Sequence, residues 1–300
     1  MASVSAWLLS FRLHTLPLSF SSIFVGSFLA AYHHSFNWLI CITAIFTTLC
    51  LQILSNLAND FGDTESGVDN QERIGPKRSL QAGIITKKQM KYAIIIFIIL
   101  SLLSGITLII ISTKEFISTK TILLFIIGIA AIMAAIKYTM GKNPYGYAGF
   151  GDLFVFIFFG LVGVLGTYFL YTHKINLIEF LPAISIGCFS TGVLNLNNLR
   201  DRINDAAFGK KTLVVRIGYQ KAKYYHAILL IIGMLSTIFY TWHIASSPIK
   251  WLFVISFIGI IRSIIVVFKN DNPTSLYPEL KLLSLSTLVF SILFGIGLIF

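Results

Sequence analysis

The chain has 300 residues, of which 56% are hydrophobic and only 12% charged, and it carries a net charge of +11. A soluble globular chain holds about 25% charged residues, so this composition excludes an ordinary soluble domain and points to a polytopic membrane protein. The basic excess falls in particular loops rather than along one face, which argues against nucleic acid as a partner.

In chain order, residues 1–14 contain Arg12 and His14 but no separate short apolar region with a small-residue cleavage site. The first apolar run is therefore expected to be a retained helix, with no targeting peptide. Apolar stretches long enough to cross the hydrocarbon follow near 15–32, 37–58, 92–112, 121–137, 153–171, 178–196, 225–245, 250–268 and 280–300. These runs are too long and too continuously apolar for the alternating strands of a barrel. The expected fold is all-α, a single membrane-embedded domain over 1–300 with about nine spans. Cys41, Cys50 and Cys188 fall inside spans without metal-type spacing and are read as buried thiols.

The short connections "HHSF", "STKEFIST" and "THKIN" would lie on one side of the bilayer, with only Lys114, Lys120, Lys174 and Lys250. The other side receives Arg12, the cluster from Arg73 to Lys91, Lys142, the cluster from Arg200 to Lys223, Lys269 and Lys281. That asymmetry places the second side in the cytoplasm, and Trp7, Trp38, Trp242 and Trp251 near span ends serve as interfacial anchors. His33, His34, His173 and His243 lie in or near the opposite loops and are expected to be solvated.

Two connections are long and polar, residues 59–91 and 197–224, and both fall on the cytoplasmic side. Long loops without linker composition are usually functional. The first opens with "NDFGD" and the second with "NNLRDRIND", so the spacing Asn-x-x-x-Asp recurs at the ends of the second and sixth spans. A faint internal duplication would produce this and would place a site between the halves. On a helix, Asn56, Asn59, Asp60 and Asp63 share an arc of about 100°. Asn197, Asn198, Asp201 and Asp205 share a similar arc, with Arg200 and Arg202 projecting to either side.

Aspartates at membrane depth need cations to be tolerable. Carboxylate and amide oxygens without His or Cys suit Mg²⁺ or Mn²⁺ rather than zinc. Mg²⁺ uses one or two carboxylates and leaves other positions to water and phosphate, so two stripes imply two ions sharing a phosphorylated ligand. Arg73, Lys77 and Arg78 follow the first stripe, and Lys210 and Lys211 the second; forks and point charges together suit a diphosphate. A transporter of an anionic metabolite is the competing reading from another class. It expects interrupted helices at the midplane, whereas these acids stand at helix ends.

At these residues the chain resembles the UbiA-type membrane prenyltransferases. Asn59, Asp60 and Asp63 match the family's first motif, and Asp201 and Asp205, with Asn197 before them, match its second. The last acid of the first motif would fall at Gly67, and the nearest acid is Asp69. This Gly-x-Asp ending, with "RIGPKR" after it, is similar to the branch that prenylates 1,4-dihydroxy-2-naphthoate. "RLHTLPLSFSSIFVGS", "YTMGKNPYGYAGFGDLFVFIFFG" and "NNLRDRINDAAFGKKTLVVRIG" agree with that branch, so the resemblance runs from about residue 10 to 220. The last three helices add only general hydrophobicity to it.

The resemblance implies nine helices around a central cavity in a bacterial cytoplasmic membrane, with the site loops inside the cell. It implies a polyprenyl diphosphate bridged by two Mg²⁺ ions on Asp60, Asp63, Asp201 and Asp205, with Asn59 and Asn197 beside them. The acceptor would be 1,4-dihydroxy-2-naphthoate, losing CO₂; 4-hydroxybenzoate is the alternative ring. By the same resemblance Tyr138, Lys142 and Asp152 lie near the chemistry, Tyr138 offering its ring face to a cation and Lys142 its charge to an anion.

Overall fold

The computed structural model describes residues 3–70, 77–244, 246–270 and 272–300. Among them are nine helical spans long and apolar enough to cross a membrane. They are α1 (Val4–Tyr32), α2 (Trp38–Glu65), α3 (Lys87–Thr113), α4 (Thr119–Lys137) and α5 (Gly151–Thr172). After these come α6 (Leu177–Ala207), α7 (Tyr219–Ile244), α8 (Pro248–Lys269) and α9 (Pro273–Ile299). Several starts are set by local chemistry. Asn37 accepts from the backbone of Leu39 and Ile40 to open α2, Thr86 and Gln89 form a capping box at α3, and Ser118 caps α4.

Large apolar side chains such as Ile95, Ile96, Ile99 and Leu103 on α3 are exposed. In water they would be a liability; in lipid they are the solvent-facing surface. Cys41, Cys50 and Cys188 are buried and unpaired, as expected of structural thiols.

Neighbours in sequence pack against one another, and α9 returns to lie along α1 and against α6, which closes the bundle. Without a hydrophobic drive between helices in lipid, close approach through small residues carries much of the association. A Cβ at Gly26 of α1 would stand 2.6 Å from the carbonyl oxygen of Val164 on α5, and one at Gly160 would stand 2.7 Å from that of Ala183 on α6. Phe156–Gly166 of α5 is wound as a π-helix, wider than its neighbours. Across from it, α4 presents Gly128, Ala131 and Ala135 inward. Small side chains there leave space, and a central cavity of about 1160 Å³ fills it.

α1 is broken near its start. Val4–Phe11 ends at Arg12, which holds a left-handed backbone (φ 49°), and a 3₁₀ turn, Leu13–Thr15, leads into Leu16–Tyr32. A break in a membrane helix frees carbonyls that must find donors. Asn56 of α2 supplies one, donating to the Phe11 carbonyl at 2.9 Å and to the Thr15 hydroxyl at 3.1 Å. Gln52, one turn earlier, donates to Thr15 at 3.2 Å and accepts from Ser19 at 2.5 Å. The polar residues of α2 are thus partly a seam to α1.

Candidate functional site

Both acid-bearing segments stay helical to their ends, α2 through Glu65 and α6 through Ala207, so their aspartates project at helical spacing. The cavity brings the two ends together: Asn59 and Asp63 line it from α2, and Asn197, Asp201 and Asp205 from α6. Arg78, Tyr138 and Lys210 line the same end. Beyond them the walls turn apolar, with Ile127, Phe158, Val162, Phe169 and Leu170 leading toward Ile175 near the far end of α5.

The two ends also touch through side chains. Lys210, just past α6, donates to both carboxylate oxygens of Asp63 at 3.1 Å. Burial alone would lower the Lys210 ammonium, but Asp63 and Asp205 outweigh it and hold its pKa above the ordinary lysine value. Tyr147 donates to Asp63 at 2.7 Å. Asn204 of α6 donates to the Val68 carbonyl at 2.8 Å and accepts from Asn70 at 2.8 Å. Asp69 is buried at the cavity wall, its backbone N–H donating to the Asp63 carbonyl at 3.0 Å.

The charges are matched almost one to one. Asp60 is fully buried behind the cavity wall, where one oxygen accepts from Arg12 and lies 3.4 Å from Arg78 Nε. Arg12 also donates to Asn59 at 2.8 Å. Arg200 grips Asp201 with two donors, at 2.7 and 2.5 Å, and reaches Asn197 at 2.8 Å. Isolated buried carboxylates would be costly, and these pairs are what makes the polar end tolerable.

The donor set suits a hard cation. Asp60 Oδ2 is buried with no hydrogen-bond partner among the described residues, and the available ligands are carboxylate and amide oxygens. No three acidic, His or Cys side chains gather among the described residues. One or two carboxylates per ion, completed by phosphate and water, is the Mg²⁺ pattern.

Other expected residues lie elsewhere. Lys77, Lys142 and Lys211 are exposed and outside the cavity wall, and Asn198 is buried away from it. Arg73 lies outside the described residues. Asp152 faces a separate cavity of about 340 Å³ between α5, α6 and α7, whose lining it shares with Tyr225. On α5, Phe154 and Phe158 turn to the central cavity, while Asp152 and Phe156 turn the other way. Arg200, expected to project aside, lines the cavity, and His33, expected to be solvated, bonds Glu179 at 2.8 Å.

Several lining residues were not singled out from the sequence. Arg12 is the clearest: a lone arginine in an apolar run reads as a topology signal until the helix break turns it inward. Tyr138 is joined by Tyr145, with ring centroids 5.4 Å apart, and Tyr145 stacks on Phe154 at 4.0 Å. Burial pushes the Tyr138 phenol up to about 12, so it stays neutral. The aromatic alternation in "NPYGYAGFGDLF" was the available hint. Tyr277 and Lys281 of α9 also line the site, so the last span is part of it.

Comparison with known proteins agrees with this architecture. A family model described as the UbiA prenyltransferase family matches residues 19–297. A 1,4-dihydroxy-2-naphthoate octaprenyltransferase from Haemophilus influenzae is 43% identical, over 98% of this chain and 95% of its own. A UbiA homologue from Aeropyrum pernix, solved without ligand, superposes with a TM-score of 0.71 at 15% identity, covering 95% of this chain and 97% of that one. Another from Archaeoglobus fulgidus, solved with DMAPP and Mg²⁺, gives 0.61 at 15% identity, covering 98% of each chain.

Proposed function

The chain belongs to the UbiA prenyltransferase family, and from that premise we propose that it transfers a polyprenyl group from polyprenyl diphosphate to 1,4-dihydroxy-2-naphthoate, as the reaction of menaquinone biosynthesis. The observation that carries this reading is the shape of the cavity: one charged, oxygen-rich end where α2 and α6 meet, continuous with a long apolar remainder. A diphosphate with an isoprenoid tail has that division. The relative at 43% identity, named for this acceptor, supports the choice of ring.

The family and its DMAPP- and Mg²⁺-bound member support Mg²⁺ dependence. Asp60, Asp63, Asp201 and Asp205, with the amide oxygens of Asn59 and Asn197, would hold the metal, in our reading two ions. Bound Mg²⁺ neutralises charge that builds on the leaving diphosphate. Lys210, Arg12, Arg78 and Arg200, now balanced against the acids, add cationic donors at the same end. As the allylic C–O bond breaks, its electron pair leaves with the diphosphate. Tyr138, neutral and half-buried beside Tyr145 and Phe154, presents a ring face that steadies the positive charge left on the isoprenoid.

The electron-rich ring carbon bearing the carboxylate then bonds to the isoprenoid carbon. The bond to the carboxylate breaks, its electron pair restores the ring, and CO₂ departs. The product is a demethylmenaquinol. The basic loops between α2 and α3 and between α6 and α7 support placing this end at the cytoplasmic face of a bacterial inner membrane.

The test uses purified protein in detergent micelles with a polyprenyl diphosphate and either 1,4-dihydroxy-2-naphthoate or 4-hydroxybenzoate. Prenylation of the naphthoate with stoichiometric CO₂ release, stopped by EDTA and restored by Mg²⁺, is the expected result. Transfer to the benzoate alone would overturn the acceptor. Turnover without compartments also excludes transport as the explanation.

A further inference from the structure

Resting on that reading, we propose that Lys281, with His14 beside it, forms the subsite for the carboxylate of the aromatic acceptor. The two substrates carry two kinds of anion. The diphosphate is accounted for by the α2 and α6 ends, where each wall cation is already matched to an acid: Arg12 and Arg78 to Asp60, Arg200 to Asp201, Lys210 to Asp63. Lys281 and His14 line the same cavity, and among the described residues neither has an acidic partner.

The start of α9 explains why Lys281 is left over. Tyr277, Lys281 and Ser284 recur at helical spacing and all line the cavity. The nearest acid in sequence, Glu279, points the other way and accepts from Arg262 of α8 at 3.0 Å, because residues two apart do not share a helix face. One turn before Lys281, the Tyr277 ring lies under the Arg200 guanidinium at 5.6 Å. The face that carries Lys281 is thereby tied to the head-group end. The 3₁₀ turn of α1 packs against α9 and brings His14 to the same cavity lining as Lys281.

An unpaired, exposed ammonium on a flexible stem suits a single carboxylate that must first be held and then released as neutral CO₂. A rigid arginine fork would resist that release more strongly. A ring anchored here by its carboxylate lies in the same cavity as Tyr138 and the diphosphate end.

The experiment is steady-state kinetics of the full chain in detergent with both substrates varied. It adds 1,4-dihydroxynaphthalene, which lacks the carboxylate, as a competitor of the acceptor. Loss of one charge-assisted contact predicts that Lys281→Met raises KM for dihydroxynaphthoate by about 10- to 100-fold, with KM for the polyprenyl diphosphate unchanged. His14→Gln should raise the same KM less, and Lys281→Arg should restore most of the binding. Wild-type protein should prefer the acid to the diol, and Lys281→Met should erase that preference. A rise in KM for the diphosphate instead, or an undiminished preference in Lys281→Met, overturns the subsite. A wild-type protein that leaves dihydroxynaphthoate untouched overturns the acceptor reading, and the subsite with it.

Discussion

The ends of α2 and α6 carry the same Asn-x-x-x-Asp spacing, yet they are held in different ways. On α2 the polar side chains bond to distant parts of the chain: Asn56 to the broken α1, Asp60 to Arg12 and Arg78, Asp63 to Tyr147 and Lys210. On α6 the main partner of Asp201 is its own neighbour, Arg200. Asp60 and Asp63 are fixed by tertiary contacts, whereas Asp201 is held chiefly by its own helix. Similar chemistry can therefore rest on unequal scaffolds, and substitutions at the two ends should separate into effects on stability and effects on catalysis.

The largest effect is expected where the two ends should behave alike. Asp63→Asn or Asp201→Asn should each lower kcat by about 10²–10³-fold or more, since each removes charge aimed at the reacting head group. Near-normal turnover in either variant would break the parallel. Removing Arg12 should show the contrast instead. Arg12→Ala leaves Asp60 buried without its closest cation and should cost roughly 3–5 kcal/mol, read as a lowered thermal midpoint in detergent, whereas Arg200→Ala should cost less because Asp201 is partly exposed.

A smaller loss is expected from Tyr147→Phe, which deletes one donor to Asp63 worth about 1.5–3 kcal/mol as a charged contact. Turnover should fall roughly tenfold or somewhat more, with binding of the acceptor unchanged. Smallest is Asn204→Ala, which loosens the loop carrying Val68 and Asn70 and should cost about 1 kcal/mol of stability.

Much of this was readable from residue order. Hydropathy located the nine spans because lipid demands long apolar helices. The two acid-bearing ends stood out because carboxylates at membrane depth are rare. What stayed hidden depended on direction rather than composition. Arg12 turns inward only because α1 breaks at a left-handed residue. Asp152 faces α7 rather than the central cavity, a difference of helix face that a motif does not encode. The role of α9 was illegible because its lining residues, Tyr277, Lys281 and Ser284, look ordinary until α9 folds back against α1 and α6.

The account turns on one diphosphate being shared by both ends. Mg²⁺-dependent binding of an unreactive polyprenyl diphosphate analogue to Asp63→Asn, Asp201→Asn and the double variant tests this by thermodynamic coupling. Each single change should remove most of the affinity, and the double should lose little more. Strictly additive losses, or an affinity that ignores either aspartate, would contradict a shared head-group site.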